Sequence, residues 1–255
     1  YPLSTLMLLD VKDIMIICSS HSLDAFKILL GDGSKFGINI DYAIQEKPNG
    51  IADAFLIAED FIGNDNSILI LGDNIFYGHG FLEPIRENIA NFEEGAIVFG
   101  YSVKDPKRYG VVEFDKDRRV LSLEEKPKFP KSNYAIPGLY IYDNKVCKYA
   151  KQLSPSSRGE YEITDLNKIY LRNSKLKVNL LGRGVAWLDT GTPESMIEAS
   201  TFISYIESRQ GLKIACLEEV AYNRGFINKI QLLNIVDEMP DSSYKDYLKN
   251  FTLTI

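Results

Sequence analysis

The sequence predicts an α/β fold in which a mixed, mostly parallel sheet is flanked by helices, with a small antiparallel section and an α-helical carboxyl-terminal tail. Short apolar runs rich in β-branched residues alternate with helical patterns through the first 105 residues. Closely spaced strand patterns follow, and the last part of the chain has helical patterns broken by polar residues. No linker or internal repeat interrupts the 255 residues, so we expect a single domain.

Residues 1–105 have the strand–helix rhythm of a parallel sheet covered by helices. The predicted strands are residues 13–19, 38–43, 67–71 and 95–103. The predicted helices are residues 23–30, 51–61 and 81–91. Because ligands of such sheets bind beyond the carboxyl ends of the strands, residues that follow these strands are the first candidates for a site.

Residues 106–192 contain a different pattern, which predicts the antiparallel section. Its predicted strands are residues 110–114, 119–125 and 134–142, followed by a helix at 161–173 and a strand at 176–181. Residues 193–255 form the tail, which begins with a long predicted helix at 193–210. Thr192 fits the amino-terminal cap of that helix and Pro193 fits its first turn.

Composition and charge exclude several classes of function. The net charge of −6 argues against a general affinity for nucleic acid polymers. Cys18, Cys147 and Cys216 lie far apart without a CxxC pair, which favours buried thiols over disulfides or a zinc site. No apolar run approaches the roughly 20 residues of a membrane span, and no signal peptide is visible. We therefore expect a cytoplasmic protein without a membrane partner.

Two aspartates follow apolar runs and are the candidate metal ligands. Asp73 comes after the run 67–71, and Asp189 ends the run that begins at residue 185. Carboxylate oxygens at strand ends suit Mg²⁺ that is held jointly with phosphates. Taken singly, each aspartate is better explained as a turn or capping residue. If the two strand ends converge, however, both carboxylates can share one ion.

Two dipeptides next to the strands of the antiparallel section are candidates for sugar-phosphate recognition. Glu125 can accept hydrogen bonds from sugar hydroxyls, and Lys126 can pair with a phosphate, although charges at a strand edge are also common without function. Tyr109 and Gly110 precede another strand. Glycine lets a ligand approach the backbone closely, but a plain turn explains Gly110 equally well.

Gln45 and Gly50 flank a Pro-Asn-Gly turn before a predicted helix. A glutamine amide both donates and accepts hydrogen bonds, so Gln45 can read the edge of a pyrimidine base. From these residues alone, an ordinary loop between a strand and a helix, without a binding function, is an alternative interpretation.

Eight segments together resemble the glucose-1-phosphate thymidylyltransferases, within the sugar nucleotidylyltransferases. Any one of them could mislead, but the ordered set is highly specific and covers essentially the whole chain. The segments are YPLSTLM at 1–7, LGDGSKFG at 30–37, LGDNIFYGH at 71–79, DPKRYGVVEFD at 105–115, SLEEKPKFPKSNYAIPGLYIYD at 122–143, RGEYEITDLNKIY at 158–170, GRGVAWLDTGT at 182–192 and ESRQGLK at 207–213.

The resemblance implies a Rossmann-like fold with a nucleotide-binding part at 1–105, a sugar-binding part at 106–192 and a helical tail at 193–255. It implies that dTTP and glucose 1-phosphate react to give dTDP-glucose and pyrophosphate, with Mg²⁺ as cofactor, in a homotetramer. On the nucleotide side, the resemblance implies that Gln45 and Gly50 contact thymine and that Asp73 and Asp189 bind magnesium. On the sugar side, it implies that Gly110 and Glu125 contact glucose hydroxyls, that Lys126 binds the sugar phosphate, and that Tyr109 and Ile136 shape the sugar pocket. It also implies that Arg183 belongs to a second, regulatory nucleotide site.

The sequence also departs from the pattern of that family. A glycine-rich segment of the form GGxGTRLxPxT, which the family uses to hold the triphosphate, is not in the 255 residues, and neither is the strand before it. We therefore expect little or no turnover from this stretch alone, and unpaired backbone groups beside the position of an internal strand. Pro137 stands where the family usually has a hydroxyl residue. A different sugar-1-phosphate nucleotidylyltransferase and a non-catalytic paralogue that binds nucleotide sugars remain the alternatives.

Overall fold

The strands of the computed structural model, which describes residues 1–255, form one seven-stranded sheet and two separate pairs. They are β1 (Asp13–Cys18), β2 (Asn39–Ile44), β3 (Ser67–Ile70), β4 (Asn74–Gly78), β5 (Ala96–Ser102), β6 (Gly110–Phe114), β7 (Val120–Glu125), β8 (Tyr134–Ala135), β9 (Leu139–Tyr142), β10 (Leu176–Leu180) and β11 (Val185–Asp189). The large sheet has the order β3-β9-β5-β8-β6-β7, and β10 also pairs with β5. The separate pairs are β1 with β2 and β4 with β11.

Helices pack against these sheets and form the tail. They are α1 (Pro2–Leu8), α2 (Ser20–Leu30), α3 (Ala54–Ile57), α4 (Glu59–Ile62), α5 (Leu82–Ala90), α6 (Val146–Ala150), α7 (Ile163–Arg172), α8 (Pro193–Gln210), α9 (Leu217–Asn223), α10 (Lys229–Glu238) and α11 (Ser243–Thr254). Helix α8 begins as predicted, with Pro193 in its first turn and Thr192 accepting a hydrogen bond from the backbone N–H of Ser195. None of these helices combines the length and the apolar character needed to span a bilayer.

The mixed α/β architecture is confirmed, but the strand directions correct the expectation of a mostly parallel sheet. Only β1 with β2 and β5 with β10 are parallel pairings. The other pairings are antiparallel. The difference arises largely from β9, a strand from the middle of the chain that lies between β3 and β5 and runs against both. Strands β3 and β5 therefore run in the same direction without being neighbours.

Two predicted elements also need correction, and one strand was not predicted. The helix predicted at 51–61 is divided into a single 3₁₀ turn, α3 and α4. The strand predicted at 134–142 is divided into β8 and β9, because Pro137 has no N–H for the ladder and the backbone N–H of Gly138 donates to Asn74 Oδ1 at 2.8 Å. Strand β4 was not predicted, since it is short and begins at Asn74, only three residues after the predicted strand 67–71.

Two large apolar clusters hold these elements together. The larger lies between the sheet and helices α3, α6 and α7, and includes Val98, Tyr142 and Leu166. The second packs α9, α10 and α11 against α1 and β2, with Met7 and Leu232 fully buried. The helical tail therefore shares a core with the amino-terminal part of the chain. Division of the chain into parts at residues 105 and 192 stays a prediction.

Candidate active site

A polar cavity of about 210 Å³ opens where β4, β11, the β6–β7 hairpin and the start of α7 meet. Seven of the ten predicted site residues line it: Asp73, Tyr109, Gly110, Glu125, Lys126, Ile136 and Asp189. Two more, Gln45 and Gly50, line an adjoining cavity of about 380 Å³, which we call the Gln45 cavity. The two cavities share Ile51, Leu71 and Glu160 in their walls, so a ligand larger than one cavity can extend into the other. Arg183 lies outside both.

The antiparallel pairing of β4 with β11 brings Asp73 and Asp189 together. This pairing sets Asp189 opposite Asn74, and the backbone N–H of Thr190 donates to the carbonyl oxygen of Asp73 at 2.8 Å. Gly191 gives a measure of the gap between the two carboxylates. A methyl group placed on its Cα would lie 3.0 Å from Asp189 Oδ1 and 3.5 Å from Asp73 Oδ2. The two strand ends therefore converge on one small space between carboxylate oxygens.

This space fits a hard divalent cation that takes few ligands from the protein. No group of three or more His, Cys, Asp or Glu side chains forms a closed metal site in the structure. Two carboxylates are enough for an ion such as Mg²⁺, which usually keeps several waters or substrate phosphate oxygens. The carboxylate pair is therefore suited to an ion that arrives with a phosphorylated substrate.

Asn74 fixes the orientation of Asp73. Its side-chain amide donates to Asp73 Oδ1 at 2.7 Å, while its own Oδ1 accepts from Trp187 Nε1 at 2.6 Å and from the backbone N–H of Gly138 at 2.8 Å. Asn74 is only 4% exposed, so these contacts compete little with water. Because one oxygen of Asp73 is held by Asn74, the other is left facing Asp189.

Glu125 is held by contacts from two neighbouring elements, β6 and α7. It lies opposite Gly110 in the register of β6 and β7, and its Oε2 accepts a hydrogen bond from Thr164 Oγ1 of α7 at 2.5 Å. A methyl group on Gly110 would lie 3.2 Å from that hydroxyl and 3.9 Å from Ile136 Cδ1. Because residue 110 has no side chain, the space between Glu125, Thr164 and Ile136 stays open.

Three cationic side chains line the polar cavity: Arg108, Lys126 and Arg158. Lys126 is exposed and has no carboxylate within salt-bridge distance, and its positive φ of 43° turns the chain sharply at the end of β7. A non-glycine residue in this conformation costs of order 1–3 kcal/mol and is often found at functional sites. Arg158, in contrast, donates to both carboxylate oxygens of Glu162, and its Nη2 also lies 3.6 Å from Glu125 Oε1. Lys126 and the exposed Arg108, which also has no carboxylate within salt-bridge distance, are therefore the cations available to a ligand.

Aromatic rings form the wall between the carboxylate pair and the β6–β7 hairpin. Tyr109 packs edge-on against Trp187, with ring centroids 5.0 Å apart. Burial raises the pKa of the Tyr109 hydroxyl, and the nearby Asp189 carboxylate raises it further. Burial likewise raises the pKa of Tyr140, with Glu125 and Asp73 adding to the effect. Both hydroxyls are therefore protonated at neutral pH and can donate hydrogen bonds.

The Gln45 cavity is formed by the loop after β2. Gln45 Nε2 donates to Asp53 Oδ2 at 3.0 Å and to the backbone carbonyl of Gly50 at 3.3 Å, which leaves Gln45 Oε1 as the free group. Gly50 has φ of +106°, and a Cβ there would lie 2.5 Å from the backbone oxygen of Tyr161. Only glycine allows this close approach, which ties the loop to the segment before α7.

Arg183 lies apart from the two cavities. It is exposed on the turn before β11, beside Gly78, whose Cβ would lie 2.0 Å from the backbone oxygen of Gly184. The structure thus separates Arg183 from the other predicted site residues. Its regulatory role stays a prediction.

Comparison with known proteins identifies the family. The model of the family described as nucleotidyl transferase matches residues 1–205. The chain belongs to this family. The nucleotidyltransferase resemblance read from the ordered segments is therefore confirmed.

Relatives of this nucleotidyltransferase span almost the whole chain. It is 52% identical over 248 residues to the glucose-1-phosphate thymidylyltransferase of Neisseria meningitidis serogroup A, a match that covers 97% of this chain and 86% of that one. It is 52% identical over 250 residues to that of Mycolicibacterium smegmatis, covering 97% and 85% of the two chains.

Solved structures support the same assignment of fold. A Bacillus anthracis structure, described as a glucose-1-phosphate thymidylyltransferase in complex with sucrose, is 43% identical with a TM-score of 0.72, covering 78% of this chain and 79% of that one. A UDP-glucose pyrophosphorylase in complex with UDP-glucose is 21% identical with a TM-score of 0.66, covering 81% of this chain and 87% of that one. The second likeness concerns the fold alone.

The site of this nucleotidyltransferase includes residues that the sequence did not single out. Asn74, Arg158, Thr164 and Trp187 all line the polar cavity and contact predicted residues or their partners. Each lies inside one of the recognised segments, which was the available signal. Their residue types are ordinary in turns, helices and cores, so only the contacts between distant segments reveal them.

Proposed function

We propose that this chain is a glucose-1-phosphate thymidylyltransferase, which converts dTTP and α-D-glucose 1-phosphate into dTDP-glucose and pyrophosphate with Mg²⁺ as cofactor. The observation that carries the proposal is the meeting of Asp73 and Asp189 in the wall of a cavity that also presents Glu125 and the unpaired Lys126. Curated relatives of about 50% identity bear that enzyme's name. The proposed substrates follow from the residues of this cavity together with the names of these relatives.

Asp73 and Asp189 would hold the magnesium ion. When bound, the ion supplies charge neutralisation for the phosphate oxygens of the nucleotide. Asn74 keeps the Asp73 carboxylate in one orientation by donating to Oδ1, so that Oδ2 faces Asp189. Hydrogen bonds such as this one from Asn74 commonly orient metal ligands in proteins.

The sugar would occupy the space above Gly110. Thr164 donates to Glu125 Oε2 and Arg158 lies 3.6 Å from Oε1, and the acceptor sites that these contacts leave on the carboxylate can accept from sugar hydroxyls. The side chains of Ile136 and Trp187 supply apolar wall, and the protonated hydroxyl of Tyr140 supplies a donor. Lys126, at the rim, would pair with the phosphate of glucose 1-phosphate.

The base would lie in the Gln45 cavity. Because both amide hydrogens of Gln45 are directed to Asp53 and Gly50, its free Oε1 can accept a hydrogen bond from an N–H of the base. Thymine and uracil both carry such an N–H at N3, so this contact selects a pyrimidine dione over cytosine. Discrimination of dTTP from UTP must come from contacts with the 2′ position of the nucleotide's pentose or with the 5-methyl group of thymine.

The reaction is an in-line displacement at phosphorus. An oxygen of the sugar phosphate forms a bond to the α-phosphorus of dTTP, while the bond from that phosphorus to the bridging oxygen breaks and pyrophosphate leaves with the electron pair. Lys126 steadies the attacking phosphate, and no side chain forms a covalent bond to substrate. The contribution of the protein is therefore positioning and neutralisation of charge.

We further infer a cytoplasmic homotetramer with a regulatory nucleotide site near Arg183. Helix α8 exposes Met196, Ile197 and Tyr205, with 55%, 67% and 62% of their surface accessible, and such apolar residues support contact between subunits. Light scattering after size-exclusion chromatography measures the oligomer. A monomer at all concentrations would contradict this part of the proposal.

Radiolabelled dTTP tests the proposed activity directly. With the chain in excess over labelled dTTP, and with glucose 1-phosphate and Mg²⁺ present, we expect conversion of the label to dTDP-glucose. A faster reaction with UTP or with another sugar 1-phosphate would instead favour a different nucleotidylyltransferase. Tight binding of dTDP-glucose without any label transfer, measured by calorimetry, would favour a non-catalytic paralogue.

A further inference from the structure

The polar cavity and the Gln45 cavity meet at a wall that contains one polar side chain. The residues that line both cavities are Ile51, Leu71 and Glu160. Because Ile51 and Leu71 are apolar, Glu160 supplies the side-chain hydrogen-bonding group of this shared wall. We call the space beside these three residues the junction.

Backbone hydrogen bonds place Glu160 next to the loop that forms the Gln45 cavity. The residue after it, Tyr161, donates its N–H to the carbonyl oxygen of Asn49 at 2.6 Å. The carbonyl oxygen of Tyr161 in turn accepts from the backbone N–H of Ala52 at 3.1 Å. The position of Glu160 at the junction is therefore set by paired backbone groups from two distant segments.

The protein uses only part of the Glu160 carboxylate. Its Oε2 lies 3.3 Å from Nη2 of Arg158, whose guanidinium also donates to both carboxylate oxygens of Glu162. About a third of the side chain is exposed, at 38%, and the chain makes no other ion pair with it. Arg158 thus holds one oxygen of Glu160 and leaves Oε1 free to accept a hydrogen bond from a ligand.

The order of groups along a nucleotide matches the order of groups along the two cavities. With the base in the Gln45 cavity and the phosphates at the Asp73–Asp189 pair, the pentose between them passes through the junction. Gly72 lines the Gln45 cavity and the next residue, Asp73, lines the polar cavity, so the step between the cavities is short. One pentose ring suits a step of this length.

The chemistry of the pentose identifies the group that Glu160 can bind. The deoxyribose of dTTP has one free hydroxyl, at C3′, because the 5′ oxygen is esterified and the 2′ position carries no oxygen. A carboxylate accepts a strong hydrogen bond from a hydroxyl but repels a phosphate. The 3′-hydroxyl is therefore the polar group of the pentose that fits beside Glu160.

We propose that Glu160 binds the 3′-hydroxyl of the nucleotide pentose and selects nucleotides in which that hydroxyl is free. Ile51 and Leu71 cover the carbon atoms of the ring, and Arg158 keeps the carboxylate in position. The inference rests on the proposed function, since it requires a nucleotide that spans both cavities.

Equilibrium dialysis with two labelled nucleotides tests the proposal. The chain is mixed with Mg²⁺ and either dTTP or 2′,3′-dideoxythymidine triphosphate, which differs only in lacking the 3′-hydroxyl. We expect the Kd of the dideoxy nucleotide to be higher by about tenfold or more, because a hydrogen bond to a charged acceptor is lost. Equal Kd values, or no binding of either nucleotide, would overturn the proposal.

Substitutions of Glu160 show whether this side chain makes the distinction. Glu160→Ala is expected to bring the two Kd values to about the same level, and Glu160→Gln, which keeps an acceptor oxygen without the charge, should give an intermediate ratio. Glu93→Ala, at an exposed position before β5, is the matched control and should keep the original ratio. A merely structural role would weaken both nucleotides alike, so an unchanged ratio in Glu160→Ala would overturn the proposal.

Label transfer separates this inference from the proposed function. A chain that makes dTDP-glucose from labelled dTTP, yet binds the two nucleotides equally, would overturn the role of Glu160 and leave the proposed function standing. A chain that distinguishes the two nucleotides through Glu160, but transfers no label to glucose 1-phosphate, would support the role of Glu160 and contradict the proposed function alone.

Discussion

The polar cavity and the Gln45 cavity differ in how completely their walls are fixed. In the polar cavity, Asn74 makes three side-chain hydrogen bonds, Glu125 is held by Thr164, and Arg158 binds Glu162 through both carboxylate oxygens. In the Gln45 cavity the loop is anchored through the amide of Gln45 and the close approach of Gly50 to Tyr161, but the adjoining wall is partly buried apolar surface from β1 and β3.

This difference indicates which contacts hold the side chains of each cavity in position. The polar cavity is preorganised by contacts between distant segments of the described chain, so single substitutions there are expected to change chemistry or stability sharply. The wall of the Gln45 cavity depends more on partly buried apolar residues of β1 and β3. The following predictions test that contrast, beginning with the largest effect.

Asp189→Asn is expected to lower kcat for dTDP-glucose formation by about 100–1,000-fold, because it removes one of two carboxylates that converge beside Gly191. Asp189 is partly exposed at a strand end, so thermal unfolding should show an unchanged Tm. Asp24→Asn, at an exposed position on α2, is the matched control and should retain normal turnover. Near-normal activity of Asp189→Asn would remove this residue from the metal site.

Asn74→Ala is expected to lower the free energy of unfolding by about 2–4 kcal/mol, because it leaves the buried N–H groups of Gly138 and Trp187 without an acceptor. Urea denaturation measures this loss.

Asn74→Asp separates stability from chemistry. The aspartate keeps an acceptor for Gly138 and Trp187, so most of the stability should return, but it cannot donate to Asp73 and should still lower kcat. Equal losses of stability in the two variants would contradict the role given to the acceptor.

The parts of the fold that the sequence predicts are those that local signals determine. The cap at Thr192, the proline in the first turn of α8 and the apolar run of β1 need no distant partner, and all three are confirmed. The division of the strand predicted at 134–142 could not be foreseen, because it depends on a hydrogen bond between Gly138 and Asn74, which are 64 residues apart.

The site shows the same limit. Family segments direct attention to Asp73, Asp189 and Glu125, and the structure places all three in one cavity. Thr164 was not predicted, because its contact with Glu125 spans 39 residues and its position at the start of a helix is ordinary for a threonine. A side chain such as Thr164, which acts by holding another side chain in position, can be identified only from the folded structure.

Thr164→Val tests the positioning of Glu125. The isosteric change removes the 2.5 Å hydrogen bond, worth about 1 kcal/mol, and is expected to raise KM for glucose 1-phosphate about fivefold with a smaller change in the KM for dTTP. Thr164→Ser keeps the hydroxyl and should restore the normal KM. If both variants changed the two KM values equally, Thr164 would be a structural residue for the whole site and not a positioning residue for Glu125.

Alkaline pH should destabilise the core beneath the polar cavity. Burial raises the pKa of Tyr170, and its hydrogen bond to Asp143 raises it further; burial also raises the pKa of Tyr142. In the unfolded chain these hydroxyls ionise near pH 10. Since the folded-state pKa values are higher, the stabilisation is fully present below about pH 10 and is lost as the pH rises toward the folded-state values.

Urea denaturation between about pH 8 and 11 measures this loss. The free energy of unfolding should be nearly flat at first and then fall by up to about 1.4 kcal/mol per pH unit for each such tyrosine. Tyr170→Phe should reduce that slope, whereas Tyr205→Phe, at a 62% exposed position on α8, should leave it unchanged. An unchanged slope in Tyr170→Phe would mean that the buried hydroxyls ionise as readily in the folded chain as in the unfolded one. The core that packs α7 against the sheet would then admit water, which would contradict the burial of Tyr142 and Tyr170.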